Sequence, residues 1–272
     1  MATPARPLPA GTARPDPPER SRPAASPQTV AEPVVDLVGT VVESLAVTHD
    51  VRVLRLSVPV EAGFRYRAGQ YARLDVPGIG QRYFSLGAPP PADDAPAHLL
   101  EFHVRAAPGS ETGRVLHDGV RPGDLLAVHG PLGRACWRAG DARPLLLVGG
   151  GTGFAPVLAI AEAALAAGLT APVRVYLGVR DERDVYHEDR LKALARAHPG
   201  FRYEVALSAP EEGRAGRRRG NIGELLAGDL RSAGPLPAGC QVYLAGPPAM
   251  VQSTRAVLAD LGVDPADVHG DG

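Results

Sequence analysis

The sequence predicts a β-plus-α/β protein, an antiparallel β-barrel followed by an α/β domain with a parallel sheet. Three observations predict it. From residue 34 to 134 short runs rich in Val, Leu and aromatics alternate with turn residues, the spacing of a small barrel. From Arg143 onward strand-like and helix-like runs alternate, the pattern of βαβ units. Finally, the glycine turn Gly149-Gly150-Gly151-Thr152-Gly153 and the segment Ala245-Gly246-Pro247-Pro248 both fall at carboxyl ends of expected strands, where the ligand crevice of an open α/β sheet lies.

The elements follow in order. Residues 1–33 hold nine of the 28 prolines without apolar periodicity, so this segment is expected to be a disordered tail. The barrel domain is assigned to residues 34–134. Its strands are Val34–Leu45, Val51–Val58, Gln70–Val76, Arg82–Leu86, Leu99–Val104 and Leu125–His129, with a short helix over Glu111–Asp118. The α/β domain is assigned to residues 140–272. Strands are expected at Pro144–Val148, Val173–Leu177, Arg202–Leu207 and Gln241–Leu244, and helices near Pro156–Ala167, His187–Ala197, Ile222–Leu226 and Pro248–Leu261.

Composition excludes several classes. The chain has 272 residues, 44% of them hydrophobic, and a net charge of −1, which gives no field for nucleic acid or an anionic membrane. No apolar run approaches the roughly 20 residues of a membrane span, and the N-terminus lacks the apolar core of a secretory signal. The cytoplasm is the expected location. Cys136 and Cys240 are the two cysteines, and a plant-type iron–sulfur cluster needs four thiolates. They read as free thiols. His98 and His103, the closest histidine pair in the sequence, project to opposite faces of an expected strand, and no metal site is expected.

The chemistry rests on two segments. The apolar strand ending in Gly149–Gly153 leads into a helix near Pro156, and backbone N–H groups at such a turn form an anion site. Read alone it is ambiguous, because Phe154 stands where the dinucleotide fingerprint has its third glycine. Some sixty residues earlier stands Arg82-Tyr83-Phe84-Ser85, an arginine fork beside an aromatic and a hydroxyl. The pair suggests two nucleotides on two domains.

Together with Ala68-Gly69-Gln70-Tyr71, Gly130-Pro131-Leu132-Gly133, Asp184-Val185-Tyr186 and the terminal Gly-Pro-Pro, these motifs resemble the ferredoxin–NADP⁺ reductase superfamily. The likeness is closest to the reductase components of bacterial multicomponent oxygenases, without their iron–sulfur domain. The resemblance covers about Val34 to Gly272. It implies FAD in the barrel and NADH or NADPH on the α/β domain. It assigns Arg82 to the FAD pyrophosphate, with Tyr83 beside it. Phe84 would lie on the isoalloxazine ring and Ser85 near flavin N5, these two at the reacting centre. His103, Val104 and Arg105 would contact the ribityl and phosphate groups, and Ser110, Thr112 and Gly113 the phosphate near the short helix. Gly150, Gly151, Thr152, Gly153 and Pro156 would form the coenzyme turn. Gly246, Pro247, Pro248 and Met250 would stand beside the nicotinamide.

Departures from the family pattern are visible. Gly109-Ser110-Glu111-Thr112-Gly113 has Gly where a Ser is expected, and Ala245 stands where relatives often carry Cys. Ser208-Ala209-Pro210 lacks the arginine of NADPH-dependent relatives, although Arg217, Arg218 and Arg219 follow, so NADH is the expected reductant. Three functions compete: a reductase serving a separate ferredoxin or oxygenase component, a reductase releasing free reduced flavin, and a non-catalytic nucleotide-binding module. The first is preferred, with a separate electron-acceptor protein as partner. Phe84 and a C-terminus without the covering aromatic of many relatives lean toward the second.

Overall fold

Two six-stranded sheets organise the chain, as the computed structural model shows for residues 32–107, 109–209, 217–234 and 236–270. The segment expected to be disordered lies outside the described residues but for its last two positions.

The first sheet comprises β1 (Val35–Ala46), β2 (Val51–Ser57), β3 (Tyr71–Val76), β4 (Gly80–Ser85), β5 (Leu99–Arg105) and β6 (Leu125–Leu132). All its pairings are antiparallel, in the order β4-β3-β6-β1-β2-β5. The sheet curls until its two edge strands meet at a single bridge, Leu86 to Phe102, and Gly87 N–H donates to the Glu101 carbonyl at 2.8 Å. Beyond that point β4 and β5 part. Alternating side chains fill the interior, with Leu54, Leu56, Phe64, Leu74, Leu100 and Phe102 fully buried. β4 starts two residues earlier than expected, because Gly78 and Gly80, at φ 73° and 91°, turn the chain tightly enough to pair Val76 with Gly80. The expected helix over 111–118 is four α-helical residues, α1 (Glu111–Arg114), followed by a wider π turn, Val115–Gly119. That turn places Leu116 fully inside the barrel core.

The second sheet is parallel throughout. Its strands are β7 (Leu145–Gly150), β8 (Val173–Val179), β9 (Phe201–Leu207), β10 (Arg218–Arg219), β11 (Gln241–Ala245) and β12 (Val268–His269), ordered β10-β9-β8-β7-β11-β12. Helices α2 (Phe154–Ala166), α3 (Glu188–Ala197), α4 (Ile222–Ala233) and α5 (Pro248–Asp260) connect them. The chain leaves β7 toward β8 and β9, then returns to β11 on the other side. The strand order therefore reverses between β7 and β11, and the crevice of such a sheet opens there. The two-residue strands β10 and β12 are too short to give a pattern in sequence. α4 runs a further seven residues past its expected end, since Ala227 and Leu230 continue its buried face across Gly228 and Asp229.

α2 is apolar except for Glu162 and buried along nearly its whole length, as a helix enclosed on almost every side must be. It packs in one cluster with Leu145, Leu147, Val175 and Leu177 of the parallel sheet and with Val51, Ala68 and Trp137 from the barrel side. The helix that follows the glycine turn is thus wedged between the two sheets.

Candidate active site

Where β4 and β5 part, the barrel faces the β7–β11 switch point, and a cavity of about 670 Å³ lies between them. The barrel contributes Tyr83, Phe84, Ser85, His103 and Arg105. The α/β side contributes Gly150 to Gly153, Pro156, Gly246 and Pro247. Twelve of the residues singled out in the sequence therefore line one cavity.

On β4 the aromatics divide. Phe84 is half-buried and packs on the barrel core, whereas Tyr83 is 63% exposed and meets Tyr71 edge-on, ring centroids 5.7 Å apart. Ser85 pairs with Tyr71 across the ladder. Arg82 projects outside this cavity. Its Nε donates to Thr112 Oγ1 at 3.1 Å and its Nη1 to the Gln81 carbonyl at 2.7 Å. The strand and the short helix named separately in the sequence thus meet side chain to side chain. Ser110 caps α1, its hydroxyl accepting from Gly113 N–H at 3.0 Å. Gly113 has a reason of its own, since a Cβ there would stand 2.4 Å from the Arg105 carbonyl.

The glycines of the switch point separate into two kinds. A Cβ on Gly153 would lie 2.3 Å from the Ala245 carbonyl oxygen, and one on Gly246 3.0 Å from the Gly150 backbone. These glycines let the two turns touch each other. Gly151 differs, with φ 54° and open space around a Cβ save Arg105 Nη1 at 3.9 Å. At Gly246 the neighbouring turn already fills the space that a side chain would need.

Other sequence assignments also change. Val104 is buried in the barrel core, because β5 alternates and directs Leu100, Phe102 and Val104 inward. Its side chain does not reach the cavity. Pro248 starts α5 outside the main cavity, and Met250 lines a second cavity of about 210 Å³. That second cavity reaches over the ends of β8 and β9 to Arg180, Ser208 and Asn221, and shares Arg105, Gly150 and Gly151 with the first. Sequence reasoning missed Ile160, Tyr243 and His269 in the main cavity. Tyr243 and His269 stack at 4.9 Å, and His269 Nε2 lies 2.7 Å from Gln241 Oε1. The two-residue strand that carries His269 gave no periodic signal.

Two of the scattered histidines, His103 and His187, come together. On β5, Glu101 and His103 point away from the barrel core yet are buried, because the α/β side covers that face. His103 Nε2 lies 3.1 Å from Glu101 Oε1, and its Nδ1 lies 3.1 Å from the Tyr186 hydroxyl. His187 stacks on His103 with centroids 5.1 Å apart, its backbone left-handed at φ 55°. Glu101 also receives Arg55 Nε at 2.9 Å and Arg190 Nη1 at 3.3 Å. Two guanidinium groups against the one carboxylate make this an ion-pair network rather than a cation cage. Burial pushes the Glu101 carboxyl up, but the His103 hydrogen bond and the two arginines outweigh it and hold it down at about 2. Burial pushes the His103 and His187 imidazoles the other way, His187 to about 4, so both are neutral at pH 7.

A carboxyl held below its unfolded value stabilises the fold above that unfolded value, and the stabilisation fades as pH falls toward the folded one. Glu101→Gln is therefore expected to lower the thermal midpoint at pH 7 by roughly 5–10 °C, on the order of 3 kcal/mol for breaking a buried pair. The gap to wild type should close between pH 4.5 and about 2. Unfolding scans at stepped pH measure this; a gap independent of pH would contradict it.

The donor set fits a flavin and a nicotinamide coenzyme. It offers aromatic surfaces, the Ser85 and Thr152 hydroxyls, the Arg105 cation and the N–H groups of the glycine turn at the start of α2. Comparison with known proteins agrees. Residues 39–137 match the oxidoreductase FAD-binding domain and residues 147–256 the oxidoreductase NAD-binding domain. The chain is 36% identical to the ferredoxin–NAD(P)⁺ reductase component of naphthalene 1,2-dioxygenase/salicylate 5-hydroxylase systems of a Ralstonia species, over 90% of this chain and 71% of that one. It is 35% identical to the reductase subunit of an Amycolatopsis aromatic O-demethylase, over 88% of this chain and 70% of that one. Among solved structures, an Amycolatopsis cytochrome P450 reductase superposes with a TM-score of 0.79 at 35% identity, over 89% of this chain and 71% of that one. With its FAD-binding barrel and NAD-binding α/β domain joined at one cavity, the chain belongs to the ferredoxin–NADP⁺ reductase superfamily, among the reductase components of oxygenase systems.

Proposed function

We propose that this protein oxidises a nicotinamide coenzyme, NADH in preference to NADPH, and passes the electrons through bound FAD to a separate redox protein, a ferredoxin or an oxygenase component. The observation that carries the reading is the shared cavity, in which the Arg-aromatic-Ser strand of the barrel faces the glycine turn of the parallel sheet. When bound, FAD supplies the hydride-accepting and electron-releasing chemistry; the chain's work is positioning. Phe84, Tyr83 and Tyr71 offer flat apolar surface for a ring system. Ser85 offers a hydroxyl at a ring nitrogen. The glycine turn holds phosphate together with Arg105, whose Nε donates to Asp50 at 2.6 Å and whose remaining guanidinium N–H groups face the cavity side. No side chain in the cavity needs to act as a strong base.

Coenzyme preference follows from how the arginines are used. Arg217 donates to both Glu182 and Glu188, four hydrogen bonds between 2.7 and 3.1 Å, and Arg218 donates to Asp229 at 2.5 Å. These two are committed to carboxylates rather than to a 2′-phosphate. These 272 residues hold two cysteines, so no plant-type cluster can be assembled from them, and electrons would leave at the flavin edge across a transient interface. Two free thiols accord with a reducing cytoplasm, and none of the described helices is long and apolar enough to cross a membrane.

Steady-state kinetics on FAD-loaded protein test the reading. NADH should give the higher kcat/KM, and an added ferredoxin-type protein should be reduced rapidly, with slow oxidase activity in its absence. Efficient turnover of free FMN or FAD, with no reduction of any iron–sulfur protein, would move the assignment to a flavin reductase.

A further inference from the structure

The Glu101–His103–Tyr186 chain is buried, joins the two sheets and ends on the glycine turn. Tyr186 lies in the loop before α3, its ring fully enclosed against Phe154, His103 and His187. Its hydroxyl stands 3.1 Å from His103 Nδ1 and 3.4 Å from the Gly151 carbonyl. Gly151, like Gly150 beside it, faces both cavities. We propose that Tyr186 and His103 are positioning residues for the coenzyme, the Tyr186 hydroxyl giving its one proton either to His103 on the flavin strand or to the carbonyl of Gly151 on the coenzyme turn. The inference rests on the function proposed above.

Proton counting fixes the two arrangements. The Glu101 carboxylate only accepts, so a neutral His103 carries its proton on Nε2 and points it at Glu101. Nδ1 is then a bare acceptor and takes the Tyr186 proton. The Gly151 carbonyl receives none, in keeping with its longer distance. When His103 binds a second proton, Nδ1–H donates to the Tyr186 oxygen. The hydroxyl proton is freed and turns to Gly151, tying the coenzyme turn to β5. In this arrangement the carbonyl is held behind the turn and the N–H groups face the cavity. The new positive charge lies on the same side and favours an anionic pyrophosphate.

The groups facing His103 set when this occurs. They are Glu101 on its own strand, Arg55 of β2, His187 and Tyr186 of the loop, and Arg190 of α3. Behind them Glu43 of β1 neutralises Arg55, and Glu162 of α2 takes two hydrogen bonds from Arg190. Burial lowers the affinity of His103 for the second proton, so the redirected arrangement belongs to the acid side of neutrality. No polar atom of the described residues other than the Tyr186 oxygen is recorded on Nδ1. Without that hydroxyl, the second proton has no acceptor in the enclosed site, and His103 stays neutral.

The test uses full-length, FAD-loaded protein as wild type, Tyr186→Phe and His103→Gln. In wild type, ¹⁵N-histidine NMR should show His103 in the Nε2–H form at pH 7.5, with a titration midpoint that NAD⁺ raises. NAD⁺ affinity, measured by calorimetry, should increase about two- to fivefold from pH 7.5 to 5.5, since proton and ligand binding are reciprocal. Both variants should flatten that slope. Tyr186→Phe keeps the ring packing, so it should retain its FAD. At pH 5.5, where the hydroxyl of wild type ties the turn, it should slow flavin reduction at saturating NADH by about 5- to 50-fold, with a smaller change in KM, since a turn displaced by a fraction of an ångström misplaces the reacting atoms; at pH 7.5 the difference should be smaller. His103→Gln, whose amide still accepts from Tyr186 but does not titrate, should lose rate at pH 5.5 to a similar extent, because the hydroxyl is never released to Gly151. A Tyr186→Phe protein that matches wild type in rate and in the pH dependence of NAD⁺ affinity would overturn the proposal. Loss of FAD from both variants would overturn it too, by making the chain a support of the barrel. If wild type itself were not reduced by either nicotinamide coenzyme, the proposed function would fall instead.

Discussion

Gly153→Ala should leave FAD in place and lower the rate of its reduction by NADH at least about 100-fold, the scale on which small displacements act in hydride transfer. The backbone of Gly153 is helical, φ −61° and ψ −9°, so alanine suits its dihedrals and the whole effect comes from space. The added Cβ would stand 2.3 Å from the Ala245 carbonyl oxygen, 2.4 Å from its carbon and 2.5 Å from Gly246 N. All three are main-chain atoms at the end of β11 and cannot rotate aside as a side chain would. The turn after β7 and the turn after β11 must therefore separate, and both line the cavity. Gly150 is a milder case, because the closest atom to its Cβ would be Met250 Sδ, the flexible part of an adaptable side chain. Gly228→Ala in α4, with nothing within 4 Å, is the control and should be neutral or slightly stabilising. Rapid mixing with NADH and the flavin absorbance of the purified variant give both readouts. Loss of FAD together with reduction would show general misfolding instead.

What was legible in the sequence follows from what periodicity and spacing encode. The six barrel strands and the four main parallel strands were visible because each is long enough to show its apolar side. β10 and β12, two residues each, were not, and with β12 went the place of His269 in the cavity. Tyr83 to Ser85 and the glycine turn, picked out by fixed spacings, do line the cavity. The reason for each glycine was not legible, since nothing local says that Gly153 meets Ala245 rather than a ligand. Val104 was named by extending a motif across a strand whose alternate residues face opposite ways, and its side chain turns into the barrel core. Glu101 shows the deeper limit. In a strand read alone it is the solvent-facing residue between Leu100 and Phe102. Only the packing of the second sheet's helices and loops against that face buries it, and with it the network to Arg190, Tyr186 and His103.

Arg82→Ala should weaken FAD binding about 10- to 150-fold, the equivalent of about 1.5–3 kcal/mol for a lost charge-assisted contact. The side chain is exposed midway along β4, where it bonds Thr112 and the neighbouring Gln81 carbonyl. It supports no buried group, so its removal should leave the thermal midpoint of the FAD-free protein unchanged. Thr112→Val, which keeps the guanidinium but frees it from its anchor, should weaken FAD less than Arg82→Ala. Arg82→Lys should fall between wild type and alanine, since a point charge replaces a fork that can engage two oxygens. The two sides of the cavity then separate by rescue. Excess FAD should restore NADH-dependent turnover to Arg82→Ala, whose glycine turn is intact, and should do nothing for Gly153→Ala, whose flavin is already bound. Fluorescence titration of FAD into the stripped proteins measures the first half, and turnover at rising FAD the second. An Arg82→Ala protein that keeps FAD with wild-type affinity would move the pyrophosphate contact elsewhere, with Arg105, the cation between the two cavities, next to be tested.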